Sequence, residues 1–271
     1  MPLAVLRTLI LVPLRVVYAL WALCAFLAAS LSALLLLSVL PGLSRRRAVA
    51  RAAARAFFAL AGMPLTVRFP ERLPAGQCVV VCNHASYLDG VVLTAALPAR
   101  FAFVIKREMA AAPLAGTLLR RLGSEFVERF DRARGARDAR RVLRNASQGH
   151  ALVFFPEGTF TRTPGLLGFH SGAFTTATRA GCPLAPAVVR GTRRALAPGR
   201  PLPLPGPIEL EFLAPLIARA DLAAAHAVPE LRDRARAAML AALAEPDLTC
   251  CADTDRPPDT ARARSAPASR P

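Results

Sequence analysis

A chain of 271 residues with 54% hydrophobic content has enough apolar material for one substantial core, with an excess that fits a membrane segment. Its 35 Lys and Arg outnumber 18 Asp and Glu for a formal charge of +17, so anionic partners are expected. Nucleic acid fits poorly, because one Trp and two Tyr leave little aromatic surface for stacking on bases, and Trp21 and Tyr18 lie in an apolar run; acidic lipid is the better match.

Val16 to Leu40 carries no charged residue over 25 positions. As a helix rising about 1.5 Å per residue it reaches roughly 37 Å, more than the roughly 30 Å hydrocarbon core. That length exceeds the usual apolar region of a signal peptide and predicts a retained membrane anchor over residues 1–43. Pro13 and Pro41 leave open a two-segment or interfacial hairpin. Arg45, Arg46 and Arg47 follow at once, which by the positive-inside rule puts the main domain in the cytoplasm, although Arg7 and Arg15 reduce the asymmetry. Residues 45–62 then read as a basic helix with an apolar side, suited to a bilayer surface and closed by Gly62 and Pro64.

From there strand-like and helix-like segments alternate. Strands are predicted at 65–69, 78–82, 101–105, 125–128, 151–155, 184–189 and up to 213, with helices from 87 to 97 and near 113–122, 134–148 and 172–180. Arg193 to Pro207 is a proline-rich loop, and Pro229 is expected to open a last helix reaching about Ala244. The alternation predicts an α/β domain over 44–246 with a mixed, largely parallel sheet flanked by helices, carried on an N-terminal membrane-anchoring helix or hairpin. Residues 247–271 lack periodicity and read as a disordered tail. The six cysteines form no paired ligand motif, so neither a zinc site nor a disulfide framework is indicated, which suits a reducing compartment.

The chemistry-bearing residues collect where apolar strands end. "CVVVC" runs into "NHASYLD" and "ALVFF" into "PEGT", so two strands sharing a sheet and a direction would bring His84 and Glu157 to one edge. His84 followed by Asp89 suits a general base whose far nitrogen is fixed by a carboxylate. The same Ser-x-x-Asp spacing also fits a helix cap by Ser86 and Asp89. Cys82 offers a thiol nucleophile, against which stands its place at the end of a buried strand. His150 and His226 read as surface residues.

Four segments together resemble the lysophospholipid and glycerol-phosphate acyltransferase family. "NHASYLD" is similar to its Asn-His-x-Ser-x-x-Asp motif, "GSEFVER" (123–129) to its glycine-apolar-arginine motif, "FPEGT" (155–159) to its Glu-Gly-Thr motif, and "LAPAVVRG" (184–191) to its apolar-Pro segment. The resemblance implies direct acyl transfer from acyl-CoA or acyl carrier protein to a lysophospholipid hydroxyl, with 1-acylglycerol-3-phosphate as the expected acceptor. It implies His84 as base, Asp89 as its orienting partner, and Arg129, Glu157, Gly158 and Thr159 along the acceptor, with no metal or prosthetic group. Two departures lower the positive charge near the acceptor: Phe160 stands where the family often has arginine, and His170 where it often has lysine. Arg162, two residues on, is the expected compensation. The departures keep a neutral or amine-containing acceptor lipid in play, beside a membrane-tethered non-catalytic homologue and a thioesterase. Arg51, Arg55 and residues 134–144 are expected to rest on anionic lipid.

Overall fold

The structure is a computed structural model and describes residues 3–128, 131–200 and 202–249. Chain order is α1 (Leu3–Val39), α2 (Leu43–Leu60), β1 (Leu65–Arg68), β2 (Val79–Cys82), α3 (Asp89–Ala96), β3 (Phe101–Lys106), α4 (Ala115–Arg121), β4 (Glu125–Val127), α5 (Arg132–Ser147), β5 (Ala151–Phe154), α6 (Gly172–Ala180), β6 (Leu184–Arg190), α7 (Thr192–Ala195), β7 (Ile208–Phe212) and α8 (Ala224–Leu243).

The strands form one sheet in the order β1-β7-β6-β2-β5-β3-β4, with every neighbouring pair parallel except β6 and β7. This is the mixed, largely parallel sheet expected from the alternation of segments. β2 is central, and its four residues Val79 to Cys82 are all buried, as a parallel strand covered on both faces requires. Alternate residues serve different layers. Val80 and Cys82 pack with Phe57 and Phe58 of α2 and Val92 and Leu93 of α3. Val79 and Val81 pack on the other side with Phe174 of α6 and Leu231 and Met239 of α8.

Within the apolar run, Leu11–Val39 is long and apolar enough to cross a membrane. α1 nevertheless does not stand clear of the domain. The turn at Gly42, whose φ of +83° favours glycine, folds α2 back along α1. The Tyr18 hydroxyl donates to Ala61 O at 2.8 Å and Trp21 Nε1 to Leu60 O at 2.8 Å. Small residues on this face, Ala22, Ala25 and Ala33, let the backbones approach closely. The opposite face exposes Leu20, Leu23, Leu31, Leu35 and Val39.

The basic helix corrects an expectation. Arg51 and Arg55 are drawn onto the domain: Arg55 Nε donates to Ala95 O at 2.9 Å, and Arg51 donates to Ala95 O and Ala96 O at 3.3 and 3.4 Å. These carbonyls close α3, where cations complement the helix dipole. Arg47 likewise donates to Leu122 O and Arg100 O at 2.9 and 3.0 Å.

Two boundaries also move. α8 begins at Ala224 and carries Pro229 inside it; the helical bond that the proline cannot make belongs to the carbonyl of Ala225, an exposed residue. The chain stays on the domain past residue 246, since Leu248 N–H donates to Leu166 O at 3.0 Å and Asp247 pairs with Arg236 at 2.6 Å.

Candidate active site

β2, β5 and β6 are adjacent and parallel, so their C-terminal ends open onto one edge of the sheet, where α/β folds place ligands. Register pairs Val81 with Phe154 and Cys82 with Ala187. The residues just beyond these pairs make the site.

Asn83 fixes the exit from β2. Its amide accepts from Val189 N–H at 2.7 Å and donates to Val189 O at 3.1 Å, extending the ladder to β6 through a side chain. His84 follows, and its Nδ1 lies 2.8 Å from Asp89 Oδ2. That oxygen also accepts from the main-chain N–H of Ala85 at 2.6 Å and of Ser86 at 2.8 Å. The atom that partners the histidine thus also ties the turn before α3, whereas the N-cap position, Leu88, makes no side-chain cap bond. Asp89 is wholly buried at the first turn of α3, where a carboxylate is favoured by the helix dipole. The Ser86 hydroxyl accepts from Leu88 N–H at 3.1 Å and donates to Leu196 O at 2.6 Å, drawing the proline-rich loop onto the motif.

Glu157 arrives from the end of β5. It is 4% exposed, and each oxygen takes one main-chain donor: Oε1 accepts from His84 N–H at 2.6 Å and Oε2 from Leu167 N–H at 2.9 Å. Burial pushes its carboxyl up to about 7, reinforced by the charge of Asp89 and opposed by the two N–H donors and Arg193.

The imidazole lies between two rings. Phe155 stacks on it with centroids 4.2 Å apart and 17° between planes, and Phe160 meets it at 4.2 Å and 54°. Tyr87, largely exposed, sits edge-on to Phe160 at 4.9 Å. These aromatics escaped the motif reading, although Phe155 and Phe160 flank Pro-Glu-Gly-Thr directly. With Nδ1 committed to Asp89, the remaining nitrogen Nε2 is the one free to accept a proton.

The remaining candidates differ in what holds them. Thr159 is exposed, and Gly158 turns the chain with φ +74°. Arg162 donates to Pro198 O at 2.6 Å and Gly199 O at 2.9 Å, so its guanidinium ties down the proline-rich loop. Arg129 lies outside the described residues. Burial holds the Cys82 thiol far above its ordinary range, with Asp89 and Glu157 adding to that, which disfavours the thiolate. His150, His170 and His226 are exposed. Among the described residues no cluster of three metal-ligating side chains converges.

Residues 64–190 match the acyltransferase family model, and that span contains the β2 and β5 strand ends just described. Over that span the chain is similar to the acyltransferase family. Relatives include a chloroplastic 1-acyl-sn-glycerol-3-phosphate acyltransferase of Brassica napus, 31% identical over 48% of this chain and 38% of its own length. A lyso-ornithine lipid O-acyltransferase of Pseudomonas aeruginosa is 33% identical over 48% of this chain and 49% of its own. The chain thus spans half or less of the length of these two curated relatives. The crystal structure of PlsC, a 1-acyl-sn-glycerophosphate acyltransferase of Thermotoga maritima, shares the fold, with a TM-score of 0.63 and 20% identity over 82% of this chain and 97% of that one.

Proposed function

We propose that the protein transfers a fatty acyl group from acyl-CoA or acyl carrier protein to the free hydroxyl of a lysophospholipid, with 1-acylglycerol-3-phosphate as the acceptor and phosphatidate as the product. The observation that carries this reading is the bond of His84 Nδ1 to Asp89 Oδ2 at 2.8 Å. In the proposed step Nε2 removes the acceptor hydroxyl proton while the oxygen attacks the thioester carbonyl. The thiolate leaves and takes a proton, and Asp89 stabilises the imidazolium that forms in between. No covalent acyl-enzyme and no metal or prosthetic group enters the step. Gly158 and Thr159 border the acceptor, and Arg129 pairs with its phosphate. The leucine face of α1 holds the domain on the cytoplasmic side of the membrane.

The test is formation of labelled phosphatidate, with CoA release, by membranes containing the full chain given an acyl-CoA and lysophosphatidate. His84→Ala is expected to lose roughly 10²–10⁴ in rate, the contribution of a positioned base. Equal activity of the two forms would refute the histidine mechanism. Acyl release without ester product would make the enzyme a thioesterase.

A second acceptor class is favoured by Phe160. Its ring lies against His84 at 4.2 Å, and Arg162, two residues on in the sequence, is occupied by Pro198 and Gly199 carbonyls. Both features suit an amine-containing lyso-lipid. Scanning acceptors against one acyl donor separates the two classes.

A further inference from the structure

The last described residues return to the site from behind. Glu245 to Thr249 follow α8 and lie across the loop at 165–167. Leu166 N–H donates to Pro246 O at 3.0 Å, and Leu248 N–H donates to Leu166 O at 3.0 Å, in the manner of an added strand. Glu245 Oε2 accepts from Gly165 N–H at 2.9 Å, while its Oε1 pairs with Arg193 at 2.6 Å. Arg236 of α8 grips both sides: its guanidinium donates to Leu166 O at 2.9 Å and Leu167 O at 3.2 Å, and makes a two-pronged pair with Asp247 at 2.6 and 2.8 Å. That pairing holds the Asp247 carboxyl well below its ordinary range. Gly165 is there for space as well as conformation, with φ +142° and a would-be Cβ only 2.8 Å from Pro246 O.

The next link is Leu167, whose N–H donates to Glu157 Oε2, and the last is Glu157 Oε1 on His84 N–H. We infer that residues 245–249 are a positioning strap for His84: they fix the 165–167 loop, the loop fixes Glu157, and Glu157 fixes the main chain of the histidine. Arg236, Asp247 and Glu245 are positioning residues that act through Leu167 and Glu157. Only the activity arm of the test rests on the proposed acyl transfer.

The experiment is amide hydrogen exchange on the full-length protein, with Asp247→Ala beside Asp247→Glu as the conservative rescue. Asp247→Ala is expected to speed exchange at Leu167 and at His84, more than 80 residues away in sequence, by roughly tenfold, the cost of one loosened charge-assisted contact. Asp247→Glu restores most of the protection. The activity arm reads the pH profile. Glu157 faces Asp89, Arg193, His84 and Cys82, and loses a donor that lowers its carboxyl pKa when Leu167 loosens. Ionised Glu157 holds His84 N–H more firmly than the neutral acid does, so the acid limb, the fall in acyl transfer that its protonation causes, moves to higher pH in Asp247→Ala. Faster exchange at Leu167 with none at His84 overturns the inference, as does an unmoved acid limb in an active variant. If Asp247→Ala exchanges throughout the β6 and α8 core, Arg236→Lys is the milder variant: it keeps the ion pair, drops the forked grip on both carbonyls, and is expected to give the same two-site pattern at lower amplitude. Uniform exchange there too reduces the strap to plain packing and overturns the inference. A native protein that acylates no acceptor refutes the functional reading alone, because exchange is read without substrate.

Discussion

The ends of β2 and β5 each deliver one buried carboxylate to the same histidine, and the two take hold of different parts of it. At the β2 end, Asp89 concentrates three donors on a single oxygen and addresses the imidazole. At the β5 end, Glu157 spreads its oxygens over two backbone N–H groups and addresses the main chain. Two acids that a motif reading places side by side are thus separable: one governs which imidazole nitrogen is free, the other where the ring sits.

Substitution at the two acids tests that separation most directly. Asp89→Asn keeps the shape and takes away the negative charge that stabilises an imidazolium, so kcat is expected to fall by roughly 10² or more with KM for the acceptor little changed. If Glu157→Gln costs as much, the division of labour is wrong; it is expected to cost only about tenfold, because an amide oxygen still accepts from His84 N–H. Stability separates them further. The Glu157 carboxyl is raised from 4.5 to about 7 in the fold, so the folded protein holds a proton there that the unfolded chain releases. Its contribution is full below about pH 4.5 and is lost as pH rises through 7, an effect on the order of 3 kcal/mol. Thermal melting in detergent at pH 5 and pH 8 should show this slope in the native protein and a flatter one in Glu157→Gln.

Outside the pair, smaller effects sharpen the picture. Phe160→Arg places a cation beside the imidazole and is expected to raise the preference for lysophosphatidate over an amine-containing lyso-lipid by roughly tenfold, read as a ratio of kcat/KM values. Should the ratio stay put, Phe160 has no part in acceptor choice. The smallest change is expected for Arg51→Ala with Arg55→Ala. Co-sedimentation with anionic vesicles should be unaltered, because Arg51 and Arg55 Nε donate to α3 carbonyls. A clear loss of vesicle binding would return these arginines to the lipid surface.

Strand positions and the motif cluster were legible because β-branched runs such as Val79 to Val81 end abruptly in polar residues, a local signal that survives folding. The antiparallel turn of β7 against β6 was not, since Ile208 to Phe212 alternates in burial whichever way it runs. Nor were the partners of the α2 arginines, because a carbonyl at the end of another helix carries no sequence mark. The aromatic enclosure of His84 was half visible, with Phe155 and Phe160 in plain view beside Glu157. The grip of Leu167 on Glu157 was invisible, being made by a backbone N–H that every non-proline residue possesses.

The docking of α2 also orders events during synthesis. Its arginines meet Ala95, Arg100 and Leu122, groups that are 40 to 75 residues further along the chain. The α1–α2 hairpin is therefore made before its partners around α3 and α4, and it emerges with its arginine side chains unmatched. With α1 in the bilayer as proposed, the domain would assemble against a hairpin already resting there, and the arginines would close onto it from that position.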